Sequence, residues 1–348
     1  MIITLIRWLL LPISLIYWLI VWARNTLYDK AILKGTKFSI PTIVIGNLAI
    51  GGTGKSPMTE YIIRLLKDDY RIATLSRGYG RKTKGYKLVH SDSLAIEVGD
   101  EPLQFKNKFP EITVAVSENR CYGIQQLNKD HDLIILDDAY QHRKLTPGFT
   151  ILLFDFNSLL SPIIPLPTGN FRDNFSATKR ADLILITKCP DDILNRDRNR
   201  IEHQIRKHAL APIFYTGIDY GQPKDRNNQL LTTPLKNLDI VLFCGIANPL
   251  PLQSYLTALG NIVHNLQYTD HHNYTDKDFD KIADYYQSLP TTNKIIITTE
   301  KDMQRVPNSA LQNTPLYYIP ITLKSMDKQQ DTFDHFIFNY IQSATSVN

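Results

Sequence analysis

The run Thr42-Ile43-Val44-Ile45 leads into Gly46-Asn47-Leu48-Ala49-Ile50-Gly51-Gly52-Thr53-Gly54-Lys55-Ser56-Pro57, and the reading of these residues decides the fold. A continuous β-branched stretch, a glycine-rich turn and a helix that opens on Lys-Ser make the strand, loop and helix of a phosphate loop. Glycine lets successive backbone N–H groups converge on phosphate oxygens, while the lysine reaches the β and γ phosphates and the serine hydroxyl binds Mg²⁺. The expected cradle is Ala49, Ile50, Gly51, Gly52, Thr53, Gly54, Lys55 and Ser56, with Ser56 also a metal ligand. In its strict form the pattern has glycine six residues before the lysine, where this chain has Ala49. A glycine-rich turn that happens to precede Lys-Ser is the plainer alternative.

Outward from this loop, short apolar runs alternate with polar helical stretches. Ile72–Leu75, Ile112–Val116, Leu133–Leu136, Thr150–Phe154 and Asp182–Ile186 read as strands, and Pro57–Lys67 and Glu118–Lys129 as helices. Strands apolar on both faces must be covered on both, so the fold class expected is α/β: a P-loop NTPase-like parallel sheet sandwiched by helices. The strand at 133–136 ends in Asp137-Asp138. Acids at a strand's carboxyl edge sit where the phosphate loop opens, so Asp137 and Asp138 are candidate Mg²⁺ ligands, with helix capping as their ordinary use. ATP or GTP phosphoryl chemistry is the leading reading.

The polar stretch from Gly217 to Asn237 has the composition of a linker or exposed hairpin, and a second, smaller α/β unit follows it. Its expected elements are strands at Ile240–Phe243, Ile262–Leu266 and Ile295–Thr298 and helices near Pro251–Leu259 and Asp276–Gln287. The division expected is 1–25, a membrane-associated helix; 26–216, a P-loop kinase domain; 217–237, a linker or hairpin; and 238–348, the smaller C-terminal α/β domain.

Charge is unevenly spread. Of the net +5, residues 1–37 carry +4, since Arg7, Arg24, Lys30, Lys34 and Lys37 stand against Asp29. The rest of the chain is almost neutral, which excludes the basic stripe of a nucleic-acid binder. Cys121, Cys189 and Cys244 are scattered with no CxxC, so neither a disulfide framework nor a cysteine zinc site is supported. Between Arg7 and Arg24 only Pro12 and Ser14 interrupt an apolar run that holds all three tryptophans, Trp8, Trp18 and Trp22. Indole favours the headgroup boundary, so the segment reads as membrane-associated, either as a short span or as a helix lying in one leaflet. A cleaved signal peptide and a buried core helix are the competing readings.

A GTPase would read guanine through an [NT]KxD element, but Thr187-Lys188-Cys189-Pro190 has proline at the acid position. A kinase needs a proton acceptor near the acceptor hydroxyl. Candidates are Asp100, in Gly99-Asp100-Glu101-Pro102, and His271, in Asp270-His271-His272. A helix-capping Asp and a surface His are the commoner uses of such residues. A membrane-tethered GTPase or ATPase acting on a protein partner, and a nucleotide-binding module without turnover, remain as alternatives.

Taken in order, the motifs resemble those of the tetraacyldisaccharide 4′-kinase family. They are the phosphate loop; Ser76-Arg77-Gly78-Tyr79-Gly80; Gly99-Asp100-Glu101-Pro102; Asp137-Asp138-Ala139-Tyr140-Gln141-His142; Leu166-Pro167 through Arg172-Asp173; Gly245-Ile246-Ala247-Asn248-Pro249; Asp270-His271; and Thr299-Glu300-Lys301-Asp302. Departures are Ser56 where the family often has Thr, Ala139 where it often has Gly, and Asn170 and Asp173 in the acceptor-side motif. The resemblance implies phosphorylation by ATP of the 4′-hydroxyl of a tetraacylated glucosamine disaccharide 1-phosphate, at the cytoplasmic face of the bacterial inner membrane. It also implies Asp100 as proton acceptor, His271 as the group that tunes it, and Lys55 at the phosphates. Arg77, Arg81, Arg120 and Arg172 are candidate phosphate contacts, and His142 is a structural or catalytic candidate.

Overall fold

A computed structural model describes residues 7–270, 272–326 and 330–345. The first helix is α1 (Leu11–Asp29), followed by β1 (Thr42–Asn47), α2 (Lys55–Leu66), β2 (Ile72–Ser76), β3 (Lys87–Leu88), α3 (Ala95–Val98), α4 (Asp100–Lys108), β4 (Thr113–Val116), α5 (Arg120–Leu127) and β5 (Leu133–Asp137). Next come β6 (Phe149–Asp155), α6 (Phe156–Leu160), β7 (Leu183–Thr187), α7 (Asn195–Arg206) and β8 (Ile213–Tyr220). The second unit holds β9 (Asp239–Cys244), α8 (Leu250–Ala258), β10 (Ile262–Gln267), α9 (Asp276–Ser288), β11 (Lys294–Thr299), α10 (Glu300–Met303) and β12 (Leu316–Ile319). The chain then closes with β13 (Ile321–Ser325) and α11 (Gln330–Thr345).

Nine strands form one sheet in the order β13-β8-β7-β6-β1-β5-β2-β4-β3, and four form a second in the order β10-β9-β11-β12. Only the outermost pairs of the large sheet, β3 with β4 and β13 with β8, run antiparallel. The central strands are parallel because their side chains are apolar in both directions. Ile43 and Ile45 of β1 pack with Ile62 and Ile63 of α2 on one face, whereas Val44 packs with Ile124 and Leu136 on the other. Every residue of β1, β2, β5 and β7 is buried.

Two expected boundaries are corrected by the topology. Residues 217–220 belong to β8, and the segment after them is tied to the second sheet by Lys224, whose N–H and carbonyl bond Tyr318 at 2.9 and 2.8 Å. The stretch is therefore not a free linker. Nor do residues 238–348 form one unit, because β13 pairs with β8 and α11 buries Phe333, Ile337 and Ile341 in the core of the large sheet. The second sheet is thus an insert between β8 and β13. Its sequence gives no warning of the return, since β13 alternates half-buried and exposed residues as an edge strand does.

Among the described residues no helix is long and apolar enough to cross a membrane. Helix α1 is instead docked by its polar side chains. Ser14, fully buried, donates to Thr168 Oγ1 at 2.8 Å; Tyr17 donates to the Arg172 carbonyl at 2.7 Å; and Asn25 donates to Asp173 at 2.7 Å. Its apolar residues face outward, with Ile16 61% and Trp22 46% exposed. That orientation disposes of the core-helix reading.

Candidate active site

The phosphate loop leaves β1 at Asn47, next to the carboxyl end of β5, so Asp137 and Asp138 lie beside it. Gly51 and Gly54 have φ of 104° and 79°, which an L side chain rarely adopts, and this fixes glycine at the two turns of the loop. The loop is held from outside itself. Asn47 Nδ2 donates to Thr53 Oγ1 at 2.7 Å, Thr187 Oγ1 to the Thr53 carbonyl at 3.0 Å, and the Ile50 N–H to the Asn170 carbonyl at 2.8 Å. Thr187 and Lys188, where a GTPase would read guanine, are spent on this bracing and on an ion pair with Asp155 at 3.2 Å.

Asp137 is buried, with Thr59 Oγ1 at 3.5 Å. Burial, and then the charge of Glu101, push its carboxyl up to about 7 against the pull of Lys55. Burial also disfavours ionised Asp138, but Lys55 and Arg172 outweigh it and hold that carboxyl below its usual range. Lys55 Nζ lies 3.8 Å from Asp138, and Arg172 grips both Asp138 and the Asn47 side chain. Arg120 is almost wholly buried; it reaches the Asp138 carbonyl at 3.4 Å, and burial lowers its guanidinium to about 10. Two adjacent acids shifted in opposite directions, ringed by one lysine and two arginines, form a charged centre of the kind that functional sites concentrate.

The other arginines part company here. Arg81 pairs with Glu118 at 2.6 Å, while Arg77 is exposed. His142 is half-buried; burial, and then the charge of Arg120, pull it down to about 4, so its imidazole is neutral at neutral pH.

Asp100 is placed by two glycines back to back. A Cβ on Gly78 would meet the Val98 carbonyl at 2.6 Å, and one on Gly99 would meet Gly78 atoms at 3.1 Å, so only glycine at both positions lets α4 start against the loop after β2. Asp100 itself is ion-paired with Arg305, which sequence reasoning missed. The only signal for Arg305 was its i+3 spacing from Asp302, which places the two on one helical face. His271 lies outside the described residues. Its neighbour His272 bonds Asp278 at 3.2 Å, and the His272 carbonyl accepts at 3.4 Å from Arg305, the residue paired with Asp100.

The model of the family Tetraacyldisaccharide-1-P 4′-kinase matches residues 6–342. The chain is 42% identical to the tetraacyldisaccharide 4′-kinase of Flavobacterium johnsoniae over 342 residues, covering 97% of this chain and 98% of that protein. To the tetraacyldisaccharide 4′-kinase of Bacteroides thetaiotaomicron it is 38% identical, covering 97% and 94%. Its fold superposes on the crystal structure of LpxK from Aquifex aeolicus in complex with ATP with a TM-score of 0.76 and 29% identity, covering 97% of this chain and 99% of that one. A phosphate loop closed on two acids, in a chain matched from end to end by these kinases, belongs to the tetraacyldisaccharide 4′-kinase family.

Proposed function

We propose that the protein transfers the γ-phosphoryl group of ATP to the 4′-hydroxyl of tetraacyldisaccharide 1-phosphate, giving lipid IVA in lipid A biosynthesis. The observation that carries this reading is the loop of residues 49–56 opening on Asp137 and Asp138 within a whole-length match to that kinase family. In this reading the loop N–H groups and Lys55 hold the β and γ phosphates, and Lys55 exchanges its contact with Asp138 for them. Arg172 and Arg120 add positive charge where the transferring group accumulates negative charge.

Ser56, Asp137 and Asp138 would hold Mg²⁺. The fit lies in the donor set: two carboxylates and a hydroxyl are the hard oxygen donors that Mg²⁺ prefers. When bound, the ion neutralises charge on the phosphates. Asp100 accepts the 4′-hydroxyl proton as the new O–P bond forms and the bond to the departing ADP breaks, with His271 tuning that acceptor.

Helix α1 lies in one leaflet at the cytoplasmic face of the bacterial inner membrane, supported by its outward tryptophans between Arg7 and Arg24. A four-chain lipid leaves a bilayer at a cost of ~0.8 kcal/mol per exposed CH₂, so the enzyme goes to the substrate. Incubation with γ-labelled ATP and tetraacyldisaccharide 1-phosphate in mixed micelles should move label into the lipid on chromatography. Label appearing only as inorganic phosphate would leave an ATPase.

A further inference from the structure

We propose that Arg305 is a positioning residue for phosphoryl transfer: it holds and orients the Asp100 carboxylate and ties it to the His272 backbone of the second unit. The inference rests on Asp100 being the proton acceptor.

Arg305 is 6% exposed and its guanidinium forks between the two units. One nitrogen, Nη2, donates to Asp100 at the start of α4; the other, Nη1, donates to Asp302 at 3.3 Å and to the His272 carbonyl at 3.4 Å. Asp302 is fully buried and is itself held in place. It accepts from the Gly245 N–H at 3.1 Å, Thr299 Oγ1 at 2.7 Å and the Tyr274 hydroxyl at 3.2 Å. Three separate stretches of the second unit, around Gly245, Tyr274 and Thr299, therefore converge on one carboxylate, and that carboxylate aims Arg305 at Asp100.

Adhesion between the units does not require this pair. Lys301 to Glu101 at 3.1 Å, Lys108 to Glu300 at 2.6 Å and Asn107 to Gln304 at 2.8 Å already span the same interface. A buried arginine with its partners removed is a severe liability, so Asp100 and Asp302 together make Arg305 tolerable at this position. Conversely, a guanidinium in hydrogen-bond contact favours the carboxylate over the acid, which keeps Asp100 able to accept a proton. The planar fork also sets the orientation of the carboxylate, which an ammonium cannot do equally well. Among the described residues, Glu101 follows Asp100 in α4 and pairs with Lys301 of α10, while Asp302 and, through it, Tyr274 and the loop of His272 face Arg305 from the second unit.

The test compares full-length Arg305→Gln, Arg305→Lys, Asp100→Asn and, as an interface control, Asn107→Ala, using lipid phosphorylation with γ-labelled ATP. Arg305→Gln should lower kcat by about tenfold or more with the KM for ATP within about twofold, and should move the acid limb of the kcat profile to higher pH by about one unit. Arg305→Lys should recover part of both changes, and Asn107→Ala should match the unaltered protein. If Arg305→Gln does not fold, Arg305→Lys alone must show the same two changes in smaller size. A kcat loss with an unmoved acid limb, or wild-type kinetics in the Arg305 variants while Asp100→Asn is inactive, overturns the positioning role and leaves Asp100 as acceptor. Full activity of Asp100→Asn would instead remove the acceptor reading and this inference with it.

Discussion

Lys55 is bound to Asp138 at 3.8 Å and is only 17% exposed on its side chain, so its ammonium is already partly stripped of water when ATP arrives. An interaction made with the transferring group in such a site is worth more than one in water, and Lys55→Ala should reduce turnover by about 10²-fold or more, ~2.7 kcal/mol and upward. Single-turnover transfer to lipid at saturating ATP checks this, and near-normal rates would sink the phosphate-loop assignment. His142 gives a pH prediction. Its folded pKa is lowered to about 4, chiefly by burial, from an unfolded value of about 6.5, so between those values the unfolded chain binds the extra proton. Stability from this group is therefore complete above about pH 6.5 and is lost as the pH falls toward 4. His142→Asn should flatten the fall of Tm across that window; an unchanged slope in thermal melts from pH 7 to pH 4 would assign the acid lability elsewhere.

Helix α1 inverts the usual arrangement of a surface helix: Ser14 and Asn25 face the protein, and Ile13, Ile16, Ile20 and the tryptophans face away. A contiguous apolar face of this size on a soluble surface marks an interaction site. Deletion of residues 1–24 should leave ATP affinity intact, because Arg172 keeps Asn47 and Asp138 as partners, while abolishing co-sedimentation with phosphatidylglycerol-containing vesicles. Sedimentation equal to that of the full chain would refute the leaflet reading. The contact of Tyr17 with the Arg172 carbonyl also means that helix α1 and the phosphate loop share one strut, residues 165–173, which additionally pairs Phe171 with Ala49 of the loop.

Across the whole molecule, the second sheet is inserted between β8 and β13, so the chain crosses between the two units twice. The large unit needs the end of the chain: Tyr340 hydroxyl bonds both the N–H and the carbonyl of Thr42, at 3.0 and 3.2 Å, and Phe333, Ile337 and Ile341 are core residues. Each such side chain contributes ~1.5–3 kcal/mol on burial, comparable with much of a domain's net stability when summed. A chain truncated after residue 320 should therefore fail to fold its phosphate-loop unit, judged by loss of cooperative melting. A truncated protein that still melts cooperatively and binds ATP would show that α11 is an accessory.

What the sequence determined by itself was whatever depends on local pattern. The apolar runs around Ile43, Ile135 and Ile184 read as strands covered on both faces, and the spacing of Gly51, Gly54, Lys55 and Ser56 read as a strand-to-helix turn. Asp137 and Asp138 followed, because the carboxyl end of a neighbouring strand is the one place an acid pair can meet such a loop. Tertiary structure alone decided the rest. The return of β13 and α11 to the first sheet, the docking of α1 through Ser14 and Asn25, and the choice of Arg172 and Arg120 over Arg81 at Asp138 all depend on contacts between residues far apart in the chain. The Arg305 pair with Asp100, 205 positions apart, is of the same kind. No local periodicity encodes which buried cation faces which carboxylate, because that pairing exists only after two sheets have been packed and the desolvated charges have had to find each other.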